Sequence, residues 1–235
     1  VARGDWVGCV VLTHGARVHD KVISDEMFRS EEVPQGEELE QLMAERSDVK
    51  TEEVRKACGI LGVEDIHFFG ADDSVLLVTE ESVRRLAKLL RQLKPDIVLT
   101  HFPKEGDGLT NAHAVAGQIA LHAMALAVSV DPDDSNPPHR VAQTFFFGSG
   151  AASIPRSVWD SEGGYYNDVF IDITDVIDKK LAAMDCLVSQ GYAGAYVRKH
   201  IETSDGAFGN YGNCAYAEGF IKQHAETHYY LPLTD

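Results

Sequence analysis

Histidine and aspartate recur directly after short apolar runs in this sequence. Val10 to Thr13 is followed by His14-Gly15, Phe68-Phe69 by Gly70-Ala71-Asp72-Asp73, and Val98 to Thr100 by His101, with His113 further along. Apolar runs of that length read as buried parallel strands. Ligands of open α/β sheets sit beyond the carboxyl ends of such strands, so these are positions where imidazole and carboxylate can meet a small molecule. Imidazole is the commonest metal ligand, and with carboxylates it suits metal-assisted hydrolysis. The sequence has no G-x-G-x-x-G, no G-x-x-x-x-G-K and no G-x-S-x-G, which argues against dinucleotide, P-loop NTPase and α/β-hydrolase chemistry.

Each candidate has a plainer alternative. His113 either faces the sheet edge as a metal ligand or is a solvated or capping histidine. His101 ends a strand as a donor behind the site or as a packed ring, and His122, on an apolar helix, reads as a core or surface residue. Asp72 and Asp73 either hold substrate or close a turn by accepting from their own backbone. As neighbours on one turn they are badly placed for a hydrolase that works with carboxylates on both sides of its substrate. Asp131-Pro132-Asp133-Asp134 has ligand-like content but follows no strand, and is read as solvated. The cysteines Cys9, Cys58, Cys186 and Cys214 form no C-x-x-C pair and read as reduced core thiols rather than a disulfide framework or zinc finger.

The elements that must position these residues follow from periodicity. Val7–Thr13 is a strand. Gly36 to Leu61 repeats apolar residues at three and four and closes on Gly62, so it is a helix with a glycine C-cap. Ile66–Phe69 is the next strand. Ser82 is placed as the N-cap of a helix that buries Val83, Leu86, Leu89, Leu90 and Leu93, turns Arg84, Arg85, Lys88 and Arg91 outward, and stops at Lys94-Pro95. Asp96–His101 is a strand followed by a polar loop from Pro103 to Thr110, and Asn111 caps an Ala-rich helix from Ala112 to about Val128. Strand, loop and helix recur at βαβ lengths, so the fold class is α/β with a mainly parallel sheet. Thr144–Phe147 and Val169–Ile173 read as strands, Thr174 as the cap of a helix over Asp175–Val188, and Gly191–Asn213 as a Gly-rich loop. Its Tyr192, Tyr196, Phe208 and Tyr211 would either stack on a sugar ring or pack the loop down.

The chain has 235 residues, with 21 Lys and Arg against 37 Asp and Glu, for a formal charge of −16. One domain spanning residues 1–235 is expected. That charge opposes general binding to nucleic acid or an anionic membrane, and no run approaches the ~20 apolar residues of a membrane-spanning helix. The opening VARGDWVGCVVLT has no signal-peptide run, so the protein is read as cytoplasmic.

The order of these segments resembles the PIG-L (LmbE-like) deacetylase family. VVLTHG, then Glu53-x-x-x-Ala57-x-x-x-Leu61-Gly62-Val63, then FFGADD, KPDIVLTH and a helix opened by His113 carry the resemblance. Asp172 in FIDIT, Lys180 and Ala183 in KKLAAM, Ser189-Gln190 and Tyr216-Ala217-Glu218 extend it. The resemblance implies a Rossmann-like three-layer sandwich that removes an N-acyl group, usually acetyl, from an amino sugar or similar small molecule. It implies a divalent metal, usually zinc, with His113 as one ligand, and assembly from several copies; Asp73, by its place behind the second strand, is taken as the substrate-binding carboxylate. The other two ligands and the general base lie, in that family, in an H-P-D-D segment on a first strand. This sequence contains no H-P-D-D, so the reading expects a chain without that first strand and helix and with an incomplete metal site. The family's H-x-D-H is Thr110-Asn111-Ala112-His113 here, which leaves the role of its first histidine in doubt. The alternative is a non-catalytic relative or small-molecule binding domain without the metal site.

Overall fold

The computed structural model describes residues 1, 3–21, 25, 33–104, 111–148 and 167–231. The loop expected from Pro103 to Thr110 lies outside these residues from position 105 on, and so does Thr110. The fold is mixed α/β and divides into two compact units, residues 1–76 with 171–218 and residues 77–170 with 219–235.

In the first unit, β1 (Gly8–Thr13) pairs in parallel with β2 (Asp65–Ala71), with Cys9 opposite Ile66 and Val11 opposite Phe68. Between them runs α1 (Glu37–Leu61). Gly62 ends it in the left-handed conformation at φ 78°, and its N–H returns to the carbonyls of Cys58 and Gly59. The second segment of this unit adds α4 (Ile177–Met184), α5 (Ala195–Thr203) and α6 (Asp205–Gly212), with α4 against α1 and α5 against α6. Two expectations are corrected here. The helix expected over Asp175–Val188 is three pieces, a 3-10 turn at Thr174–Val176, α4, and a second 3-10 turn at Val188–Gln190. The Gly-rich stretch from Gly191 to Asn213 is chiefly α5 and α6. Gly209 serves close packing there, since a Cβ would stand 2.4 Å from the Ala215 carbonyl oxygen.

In the second unit, α2 (Glu80–Leu93) packs on α3 (Ala112–Ala127), and α3 on β3 (Ile97–His101). The cap of α2 is Thr79, not Ser82; Ser82 sits three residues in and exchanges hydrogen bonds with Thr79 in a capping box. β3 pairs in parallel with β4 (Gln143–Phe147), and β4 pairs antiparallel with β6 (Ala217–Lys222). The strand order is β3-β4-β6-β5, with β5 at Val169–Asp172; the unit boundaries fall inside β5 and β6. Phe102 and Phe146 meet edge to face at 5.7 Å as the centre of an apolar cluster with Leu121 and Ile221.

Arg91 and the Asp131–Asp134 turn depart from expectation together. Arg91, placed by periodicity on the outward face of its helix, is 1% exposed. Its guanidinium donates to the carbonyls of Leu126, Ala127 and Ser129 at the end of α3 and to Asp134 at 2.9 Å, with Asp131 3.7 Å away. The expected solvated turn is therefore a buried anchor. A guanidinium carries enough donors to cap a helix and pair a carboxylate together.

Candidate functional site

His113 is placed by three local features of the second unit. The Asn111 side chain accepts from the His113 backbone N–H at 2.8 Å, which fixes the start of α3 just before the imidazole. One helical turn later Gly117 lets α3 lie against the end of β3, where a Cβ would stand 2.3 Å from the His101 carbonyl oxygen. The exposed His113 ring then stacks on the His101 ring, with centroids 4.3 Å apart and planes parallel. His101 also meets Phe147 at 4.6 Å, and its Nδ1 is buried without a hydrogen-bond partner. Burial, with the neighbouring His113, pushes the His101 pKa down to about 4, so this ring is neutral at physiological pH.

The carboxyl ends of β1 and β2 hold a different arrangement. The Asp73 side chain is fully buried. Its Oδ1 accepts from the Arg17 amide at 3.1 Å, and its Oδ2 from the amides of Val18 at 2.8 Å and His19 at 3.1 Å. The His19 ring lies 3.1 Å from the same Oδ2, and His14 Nδ1 lies 3.3 Å from Oδ1 while accepting from the Ala16 N–H. Burial works to raise the Asp73 pKa, but the amides of Val18, Arg17 and His19 and the His19 ring outweigh it and hold the carboxyl below its ordinary value. Asp72 is lowered to about 2, first by the Ser74 hydroxyl and amide and then by Arg17, which pairs with it directly. Buried Lys50 donates to the His19 carbonyl at 2.7 Å, and Arg46 pairs with buried Asp20 at 2.8 Å, tying the same segment to α1.

The structure thus brings His101 and His113 together, and separately groups His14, Asp72 and Asp73. His122 is exposed on α3. Tyr192 and Tyr196 pack at 5.4 Å, and Lys21 stands 5.8 Å over the Tyr196 ring. Sequence reasoning passed over Arg17, His19 and Lys50. The basic run T-H-G-A-R-V-H behind β1 was a visible signal for the first two.

Neither group makes a complete metal site from the described residues. His14, Asp72 and Asp73 offer ligand atoms within 4.8 Å of one another. However, both Asp73 oxygens are taken by backbone amides, and Asp72 is covered by Arg17 and Ser74. His113 suits a single ligand. A ring lone pair lies in the ring plane, so the parallel, stacked His101 cannot aim at the same ion.

A sequence model of the PIG-L family, described as GlcNAc-PI de-N-acetylase, matches residues 1–124, which include β1, β2, β3, His101 and His113. The chain belongs to this family. It is 29% identical over 186 residues to the 4-oxalmesaconate hydratase of Pseudomonas putida KT2440, covering 75% of this chain and 66% of that protein, just under two thirds of its length. Among solved structures it is similar to the 4-carboxy-2-hydroxymuconate hydratase GalB of the same organism, at 25% identity and a TM-score of 0.70 over 98% of this chain and 89% of that one. The N,N'-diacetylchitobiose deacetylase of Pyrococcus horikoshii shares the fold at 20% identity and a TM-score of 0.71, over 94% of this chain and 74% of that one. The conserved protein TT1542 of Thermus thermophilus shares it at 22% and 0.70, over 100% and 88%. Among the described residues no helix is long and apolar enough to cross a membrane.

Proposed function

We propose that this protein acts on a small molecule as a metal-dependent N-acyl hydrolase, removing an acetyl or similar group from an amino sugar or related compound. The observation that carries this reading is the placement of His113, capped by Asn111 and stacked on His101 at the carboxyl end of a parallel strand, inside the segment matched by the de-N-acetylase family. On this reading His113 is one ligand of a divalent metal, zinc foremost. Such an ion, when bound, supplies an activated water and polarises the amide carbonyl. Two further ligands and a general base are required, and the reading assigns them to an H-P-D-D segment, which residues 1–235 do not contain. Asp73, the carboxylate expected to bind substrate, instead holds the amides of Arg17, Val18 and His19.

A second reading is favoured by the hydratase relatives at 29% and 25% identity. In it the same water is added across a carbon–carbon double bond of a carboxylated substrate.

One preparation decides between them. The protein, expressed with any coding sequence that precedes Val1, is assayed for acetate release from N-acetylated amino sugars and for loss of ultraviolet absorbance from unsaturated di- and tricarboxylates. Acetate release that chelation abolishes supports the hydrolase. Absorbance loss without acetate release overturns it in favour of the hydratase, and neither activity with no metal retained supports a binding domain.

A further inference from the structure

His14 and His19 lie against opposite oxygens of the buried Asp73 carboxylate, and their hydrogen bonds put them in opposite tautomers. We propose that His19 is an acid–base residue: Asp73 keeps a proton on its Nδ1 and leaves the Nε2 lone pair to take a proton from a water or a small-molecule hydroxyl. This goes beyond the metal-centred reading and involves neither His113 nor an ion.

Both Asp73 oxygens accept from backbone N–H groups, Oδ1 from Arg17 and Oδ2 from Val18 and His19, so the carboxyl is held as an anion with no proton to give. Its lowered pKa agrees. The 3.1 Å contact between Oδ2 and the His19 ring is therefore made by a proton on Nδ1. In a neutral imidazole one nitrogen donates and the other accepts, so Nε2 of His19 is the acceptor. His14 is the reverse. Its Nδ1 accepts from the Ala16 N–H at 3.0 Å, which leaves the proton on Nε2.

His19 is fixed at three points. Its backbone N–H donates to Asp73 Oδ2, its carbonyl accepts from Lys50 at 2.7 Å, and its ring is tied at Nδ1. Nε2 makes no hydrogen bond to the described residues, and the side chain is 42% exposed, so a small molecule can reach the lone pair. A carboxylate behind a histidine sets the tautomer, orients the ring and stabilises the imidazolium that forms when the second nitrogen takes a proton. In that step the O–H bond breaks with its electron pair left on oxygen, an Nε2–H bond forms, and Nδ1 keeps its proton. The new positive charge then lies beside the Asp73 anion.

The test uses the protein with any sequence that precedes Val1, labelled with 15N at histidine and kept in chelator throughout. The first readout is the pair of ring nitrogen shifts of His14 and His19 in the neutral wild-type rings. His19 should carry its proton on Nδ1 and His14 on Nε2. The second is hydrolysis of p-nitrophenyl acetate, which probes the same lone pair: Nε2 attacks the acetyl carbonyl, p-nitrophenolate leaves, and water releases the acetyl group as acetate. His19→Gln should lower the rate about a hundredfold, the low end of what a positioned acid–base side chain contributes, and His14→Gln should keep most of it. A wild-type His19 with its proton on Nε2 overturns the inference whatever the variants do. So does equal hydrolysis by wild type and His19→Gln, and so does an equal loss in both variants, which would make the loss one of loop structure. Because chelator is present, a failure here leaves the metal-dependent reading standing, and a failure of that reading leaves this result unchanged.

Discussion

The ends of β2 and β3 have the same kind of address, the carboxyl edge of a parallel strand, and opposite chemistry. Behind β2, Asp73 is buried and its oxygens are filled by three backbone amides and a histidine ring, all from the segment Arg17–His19. Behind β3, the rings of His101 and His113 stack with parallel planes, and His113 is exposed. The first arrangement buries a carboxylate to hold backbone; the second leaves an imidazole exposed at the edge of the strand. A reactive residue type at a strand end is therefore not enough to mark a reacting group. What separates the two ends is whether the side chain is buried among backbone donors or exposed at the strand edge.

That contrast predicts a ranking of substitutions by their effect on stability. Asp73→Ala should cost most, about 3 kcal/mol, because it removes a buried carboxylate that accepts from three backbone amides. The measurement is denaturant unfolding, and a loss below about 1 kcal/mol would break the contrast. The pH dependence has a definite sign. The folded carboxyl of Asp73 lies below its unfolded value, so its contribution is full above the ordinary carboxylate range and is lost as the pH falls through the folded value. Wild type should lose stability progressively in acid, and Asp73→Ala should show less of that loss.

Gly117→Ala comes next, at about 2 kcal/mol, since its methyl group would meet the His101 carbonyl and force α3 away from β3. It should also disturb the stack, visible as a change in the His113 ring resonances. A stable Gly117→Ala protein with those resonances intact would show that the close approach does not set the pair. Arg17→Ala removes an ion pair whose two side chains are 52% and 40% exposed, so solvent screening limits the loss to about 0.5 kcal/mol.

Local signals made much of this legible in the sequence. Gly62 as a C-cap, Asn111 as an N-cap and the strand ends at Thr13 and His101 are set by neighbours a few residues away, and the structure has them where the pattern puts them. The misses came from distance. Arg91 reads as one basic residue among several on α2 until Asp134 and the end of α3 supply its partners. Gly209 reads as loop flexibility until the Ala215 backbone comes against it. The Asp73 carboxylate looks available until the amides of Arg17, Val18 and His19, far away in the chain, are brought to it. The stack is a similar case, because a histidine and a glycine one turn apart mean little before β3 is placed beneath them.

The smallest stability effect belongs to His113. Its ring is exposed, and α3 is capped through its backbone N–H rather than its imidazole, so His113→Gln should leave unfolding within about 0.5 kcal/mol of wild type. Under the proposed function the same change removes a metal ligand and with it the activity. Stability and function therefore part company at this residue, whereas at Asp73 they fall together. Unfolding and zinc titration of Asp73→Ala and His113→Gln, measured side by side, test that separation. If His113→Gln destabilises the protein as much as Asp73→Ala while zinc binding is unchanged, the imidazole is a packing element, and the two strand ends are alike after all.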